Sequence, residues 1–111
     1  AGAFPLWLAP KQINILPVNN LYHLEHAKNL ANQLKNLGFR VILDDSNEKL
    51  GYRLRNSQIN KIPLTLVIGD NEVKENLVTY RRFGTRDQIT ITTDEFIKMT
   101  EDELLRKKDY R

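Results

Sequence analysis

Residues 44–73, DDSNEKLGYRLRNSQINKIPLTLVIGDNEV, carry the pattern on which the fold turns. The stretch opens on Asp44 and Asp45, which end a strand read over Phe39–Leu43. It continues as a helix from Glu48 to about Asn60, with Leu50, Leu54 and Ile59 inward. Pro63 stops that helix, because a proline and the residue before it both resist the helical ladder. Leu64–Ile68 then reads as an apolar strand that closes on Gly69-Asp70. Strand, helix and strand at these lengths make a βαβ unit, whose crossover is right-handed and whose strands run parallel. At the helix start Asp45 stands as the capping residue with Glu48 in the capping-box place, which leaves Asp44 to solvent.

Upstream, Gln12–Val18 has the near-continuous apolar character of a buried strand. Asn19-Asn20 breaks it. Leu24, Ala27, Leu30, Ala31, Leu34 and Leu37 follow with helical spacing, and Gly38 supplies the stop. Downstream, Gly69-Asp70-Asn71 reads as a turn, and Val73–Phe83 and Gln88–Thr92 as an antiparallel hairpin around Gly84, which makes the sheet mixed. Thr93-Asp94 offers an N-cap for a last helix from about Glu95, with Phe96, Ile97, Met99 and Leu104 available for packing. The opening residues 1–10, AGAFPLWLAP, read as a linker from a preceding domain, with the folded domain over 11–111. Phe4, Trp7 and Leu8 dock either on a neighbour or on this domain's own core.

A chain of 111 residues supports one core and not two. No run approaches the ~20 apolar residues of a membrane span, and no signal-peptide pattern opens the chain. The expectation is a soluble, unsecreted protein. With no cysteine and only His23 and His26, disulfides, thiolate chemistry and zinc sites lack their ligands, and both histidines read as surface or helix-end residues. No phosphate-cradling, serine-hydrolase or zinc-protease motif is present. Asp44 and Asp45 with Asp70, all at strand ends, resemble the acidic site of a phosphoacceptor domain. The pair follows the second strand rather than the first, however, and no lysine occurs late in the sheet.

The charge is more informative by place than by amount. Residues 46–62 hold Lys49, Arg53, Arg55 and Lys61 against Glu48 alone, a local +3 that equals the net charge of the whole chain. Such a segment is either an ordinary solvated helix face or a surface for a polyanion. Lys49, Arg53, Asn56 and Asn60 fall on one helical stripe. Asn47 stands near the helix N-terminus, where an amide can read a base edge beside a bound phosphate. Arg81, Arg82 and Arg86, interleaved with Tyr80 and Phe83, form a second basic patch with stacking surfaces, a combination suited to single-stranded RNA.

Residues 2–18 (GAFPLWLAPKQINILPV), 44–73, the RRFG of 81–84 and the acidic-then-basic last helix together resemble the C-terminal anticodon-binding domain of class II aminoacyl-tRNA synthetases, in its threonyl type. The likeness covers almost the whole chain. Prolyl and histidyl types share the βαβ frame and the IP…VIG strand, but the prolyl type has ERPG where this chain has Asn47-Glu48-Lys49-Leu50-Gly51. The resemblance implies a three-layer α/β fold: a five-stranded mixed sheet flanked by three helices, with no catalytic residue and no cofactor of its own. ATP and zinc would belong to a catalytic domain elsewhere in a cytoplasmic, homodimeric threonine–tRNA ligase, and the partner of this domain would be the anticodon loop of threonine tRNA.

The resemblance also carries residue roles. Asn47 and Lys49 match the anticodon-contacting helix start, Lys61 a basic position often filled by Arg, Glu72 a base-reading acid, and Arg81 an arginine that grips anticodon bases. Arg53 joins them as a cation of the same helix. Every threonine anticodon ends in G then U. A carboxylate at Glu72 can accept from guanine N1–H and N2–H while Arg81 donates to carbonyl oxygens. Ser46 stands where the family usually has Arg, and Lys61 lacks the bidentate fork, so both thin the phosphate grip. On the residues alone, Glu72 reads equally as a turn carboxylate paired with Lys74, and Arg81 as half of a cross-strand ion pair.

Overall fold

The computed structural model describes residues 6–105. A short 3-10 turn at Leu6–Leu8 precedes β1 (Ile13–Pro17), α1 (Asn20–Asn36), β2 (Val41–Leu43), α2 (Leu50–Ile59) and β3 (Leu64–Ile68). Then come α3 (Asp70–Glu75), β4 (Leu77–Arg82), β5 (Ile89–Thr92) and α4 (Thr93–Leu105). The sheet has the order β2-β1-β3-β4-β5. β1 lies parallel to β2 and β3, whereas β4 runs antiparallel to both β3 and β5. The five-stranded mixed sheet expected from the sequence is therefore present.

Side-chain alternation along the strands sorts the helices into layers. Ile13, Ile15, Leu64, Leu66, Ile68, Val78 and Tyr80 face one side and close a core with Ala27, Leu30, Ala31 and Leu34 of α1 and Phe96 of α4. On the opposite side lies α2, tied to β3 by a buried hydrogen bond of 2.6 Å between the Ser57 and Thr65 hydroxyls. Asn19 starts α1 by accepting from the Leu21 N–H at 2.9 Å, and Gly38, at φ 100°, ends the turn beyond it.

Four details depart from expectation. Residues 70–75 form a fourth helix instead of a turn and the start of a strand. Asp70 and Glu72 sit in its first turn, where carboxylates favour the helix N-terminus, and Asn76 at φ 55° ends it. β4 consequently begins at Leu77 rather than Val73. Next, α2 starts at Leu50 with Lys49 as N-cap and no side-chain cap bond. Asp45 caps nothing there; Asp44 Oδ1 instead accepts from the Ser46 N–H at 3.1 Å and tightens the preceding loop. The inward residues of α2 are Arg53 and Ser57, with Leu50 and Leu54 only half-buried and Ile59 67% exposed. Finally, α4 is opened by Thr92 and Glu95, each accepting from the other's main-chain N–H at 3.1 and 3.0 Å, while Thr93 turns its hydroxyl back to Asn76.

The segment before β1 packs on this domain. Leu6 and Ala9 are buried, the Gln12 amide donates to the Leu6 carbonyl at 2.9 Å, and the Arg40 guanidinium donates to the Ala9 carbonyl. Leu8 is half-exposed, and Phe4 lies outside the described residues. No helix among the described residues is long and apolar enough to cross a membrane.

Candidate nucleic-acid interface

Two helices and a sheet edge leave one polar surface open. The α2 side of the sheet is covered over β1, but past β3 it presents Leu77, Thr79 and Arg81 of β4 with Thr90 and Thr92 of β5, the alternate residues to those in the core. Glu72 reaches this surface from α3. Its Oε1 accepts from the Gly69 N–H at 2.8 Å and its Oε2 from the Thr79 hydroxyl at 2.9 Å. The Thr79 and Thr90 hydroxyls are themselves bonded at 2.8 Å. Because Thr79 gives its proton to Glu72, Thr90 donates to Thr79, and the hydrogen bonds run in one direction towards the carboxylate. Each carboxylate oxygen keeps one lone pair for an incoming donor. Glu72 is thus neither paired with Lys74 nor loose in a turn. It is a fixed double acceptor.

Arg81 projects from β4 opposite Thr65, and its Nε is buried with no hydrogen-bond partner. It makes no cross-strand ion pair. The neighbouring arginine points the other way: Arg82 pairs with Glu103 of α4 and lies 5.9 Å from the centre of the Tyr80 ring. Tyr80 is only 6% exposed and packs against Phe96 at 5.5 Å between ring centres. The second basic patch read from the sequence therefore loses Arg82 and its stacking ring Tyr80 to the core side. Arg81 and Arg86 remain, joined by Arg55 and Gln58 of α2 around a cavity of about 430 Å³.

Arg53 does not lie on an exposed stripe with Lys49. It is 3% exposed, and its guanidinium donates to the carbonyls of Pro17 (2.8 Å), Glu48 (3.0 Å), Asp44 (3.2 Å) and Val18 (3.4 Å). Those of Pro17, Val18 and Asp44 sit where β1 and β2 end, and that of Glu48 just before α2, beyond the reach of the sheet ladder. Arg53 acts as a strut under the loop that carries Asn47 and Lys49, both exposed. Asn20 supports the same loop by donating to the Asp45 carbonyl at 2.6 Å. Asn47 lines a polar hollow of about 180 Å³ with Asn19, Asn20 and Arg53. Lys61 lies apart from it, exposed in the α2–β3 connection at φ 55°. Asn47 and Glu72 thus flank the C-terminal ends of β1 and β3, and Lys61 and Arg81 flank the N-terminal end of β3.

His23 is buried rather than on the surface. Its Nδ1 accepts from the Asn19 N–H at 3.0 Å, which places the proton on Nε2, donated to Asp70 Oδ1 at 2.6 Å. Asp70 is engaged with α1, and among the described residues no three acids or histidines group to hold a metal ion. Thr79 and Thr90 lie outside the residues singled out from the sequence, and Arg55 counts there only in the charge of the basic segment. Alternation along β4 could have placed Thr79 beside Arg81, but only the position of α3 brings it to Glu72.

The sequence pattern of the anticodon binding domain family matches residues 12–103. Threonine–tRNA ligases of Staphylococcus carnosus and Staphylococcus aureus strain JH9 are each 50% identical over 107 residues, 96% of this chain. The chain spans 16% and 17% of their lengths. The crystal structure of the RNA binding domain of threonyl-tRNA synthetase from Cryptosporidium parvum Iowa II superposes with a TM-score of 0.86 at 32% identity, over 92% of this chain and 26% of that one.

Proposed function

This chain belongs to the anticodon-binding domain family, and from that premise we propose that it is the anticodon-reading module of a threonine–tRNA ligase. In this reading residues 1–10 lead from a catalytic domain, which holds ATP and zinc and performs aminoacylation in a cytoplasmic homodimer. The module of residues 11–111 holds the unstacked anticodon loop of threonine tRNA in register and does no chemistry itself. The observation that carries the reading is Glu72, a carboxylate fixed by the Gly69 N–H and the Thr79 hydroxyl with one acceptor site left on each oxygen. Guanine offers two adjacent donors, N1–H and N2–H, to such a pair. Adenine offers no donor at N1 and has no N2 amine, so it leaves the carboxylate unsatisfied.

Asn47 and Lys49 on their strutted loop, with Lys61 and Arg81 across the open face, supply the remaining base and phosphate contacts. Arg53 acts through the loop and not on the RNA. The test is a titration of the chain with a threonine anticodon stem-loop and with a stem-loop changed at the second anticodon base. The wild type should prefer the first, and Glu72→Gln should lose about 1–3 kcal/mol of that preference. Equal affinity of the wild type for both loops overturns the reading.

A further inference from the structure

The cavity between the second half of α2 and the β4–β5 connection is lined by Arg55, Gln58, Arg81, Gly84, Thr85 and Arg86. Arginines from three separate elements line it, and no carboxylate residue does. The ion pairs His23–Asp70 and Arg82–Glu103 involve none of the three. Asp87 follows Arg86 in the chain but does not line the cavity. Gathering like charges around one space raises the energy of the free protein unless an anion is taken up.

The walls are also fixed. The Gly84 N–H donates to Gln58 Oε1 at 3.3 Å, which ties the connection to α2 and leaves the Gln58 amide N–H groups unused by that bond. The Thr85 hydroxyl and N–H both turn back to the Arg82 carbonyl at 3.2 Å. Gly84 takes φ 85°, which other residues rarely adopt, so the connection can bend back over the helix. Within this frame Arg81 Nε is buried and unpartnered.

We propose that this cavity is a phosphodiester site in which Arg55, Arg81 and Arg86 grip one phosphate of the RNA strand whose base is read at Glu72. The proposal rests on the anticodon-reading function above and adds to it a grip that Ser46 and Lys61 do not supply. Arg81 lies two residues beyond Thr79 on the same face of β4, about 7 Å along the strand. A phosphate in the cavity is therefore next to a base on the carboxylate. Planar guanidinium forks match phosphate oxygens in pairs, which a lysine cannot do.

The experiment titrates the chain and its Arg55→Gln, Arg86→Gln and double variants with the matched and second-base-changed stem-loops at several salt concentrations. The double variant should bind both loops about tenfold more weakly. Its salt dependence should fall by about 0.7, the slope of one phosphate on a single strand. A neutral methylphosphonate placed at successive loop phosphates should reproduce the loss at one position in the wild type and add nothing at that position in the double variant. Inorganic phosphate should compete weakly for the same site; competition as strong as the loop's would make the cavity a free-phosphate site and overturn the proposal. Unchanged slope and affinity in a double variant whose unfolding midpoint matches the wild type also overturn it, while the preference of the wild type for the matched loop still stands. Arg55→Lys and Arg86→Lys serve if the glutamine variants unfold: they should keep the slope and lose affinity.

Discussion

Arg53 makes its four hydrogen bonds to main-chain carbonyls and none to an acid. Its guanidinium has five N–H donors and no acceptor, so strand ends that leave carbonyls without partners suit it as well as a carboxylate would. Arg53→Ala leaves those carbonyls unsatisfied beneath α2 and should cost about 3 kcal/mol of stability, measured by urea unfolding. Arg53→Lys should recover only part of it, because an ammonium has no fork to span β1, β2 and the helix start together. A loss within 0.5 kcal/mol, about that of an ordinary surface substitution, would return Arg53 to the solvent-facing stripe. Sequence inspection could not separate these roles, since a cation at a helical spacing looks the same whether it faces water or a row of carbonyls.

At the scale of elements, the parts with strong periodicity were legible: α1 from its apolar spacing, β3 from its apolar run, and the parallel β1-β3 frame from the crossover between them. The weakly patterned elements were not. The turn signal at Gly69-Asp70-Asn71 conceals α3, because six residues are too few to show a helical period; only Glu72 closing on Gly69 marks them. The apparent Leu50/Leu54 face of α2 misleads because the sheet face beneath that helix carries the buried Asn14 and Thr65 beside Leu16, so the buried side is partly polar. For α4 the capping pair is one residue earlier than the Thr93-Asp94 signal. The Thr92 main-chain N–H, and then its side chain, hold the Glu95 carboxyl below the usual carboxylate range, with burial opposing weakly. A depressed folded-state value means that the cap stabilises the protein above the unfolded glutamate value of about 4.3 and is lost as pH falls through the lower folded value. Wild type and Glu95→Gln should therefore differ in thermal midpoint at neutral pH and converge in the acid range. A gap that stays constant down to acid unfolding would remove Glu95 from the cap.

For the whole molecule, the open polar surface exists because the helices cover the sheet unequally. One side is sealed by α1 and α4, and the other carries α2 over the parallel half alone. The opening segment belongs to this architecture, since Leu6 enters the core and Gln12 and Arg40 bind the Leu6 and Ala9 carbonyls. Leu6→Ala should lower stability by about 2–5 kcal/mol, as for other buried leucines. A change below about 1 kcal/mol in denaturant unfolding would mean that the segment rests on the domain without supporting it. The same molecule-wide view gives the strut beneath Asn47 another consequence. Because its hydrogen bonds all go to backbone carbonyls, they place no demand on the identities of residues 17, 18, 44 or 48, and every amino acid brings them the same acceptor. The side chains of the loop above it, Ser46 and Asn47 among them, can therefore change while these bonds keep its path in place. The fold thus separates the side chains that the loop presents from the backbone path on which it is held.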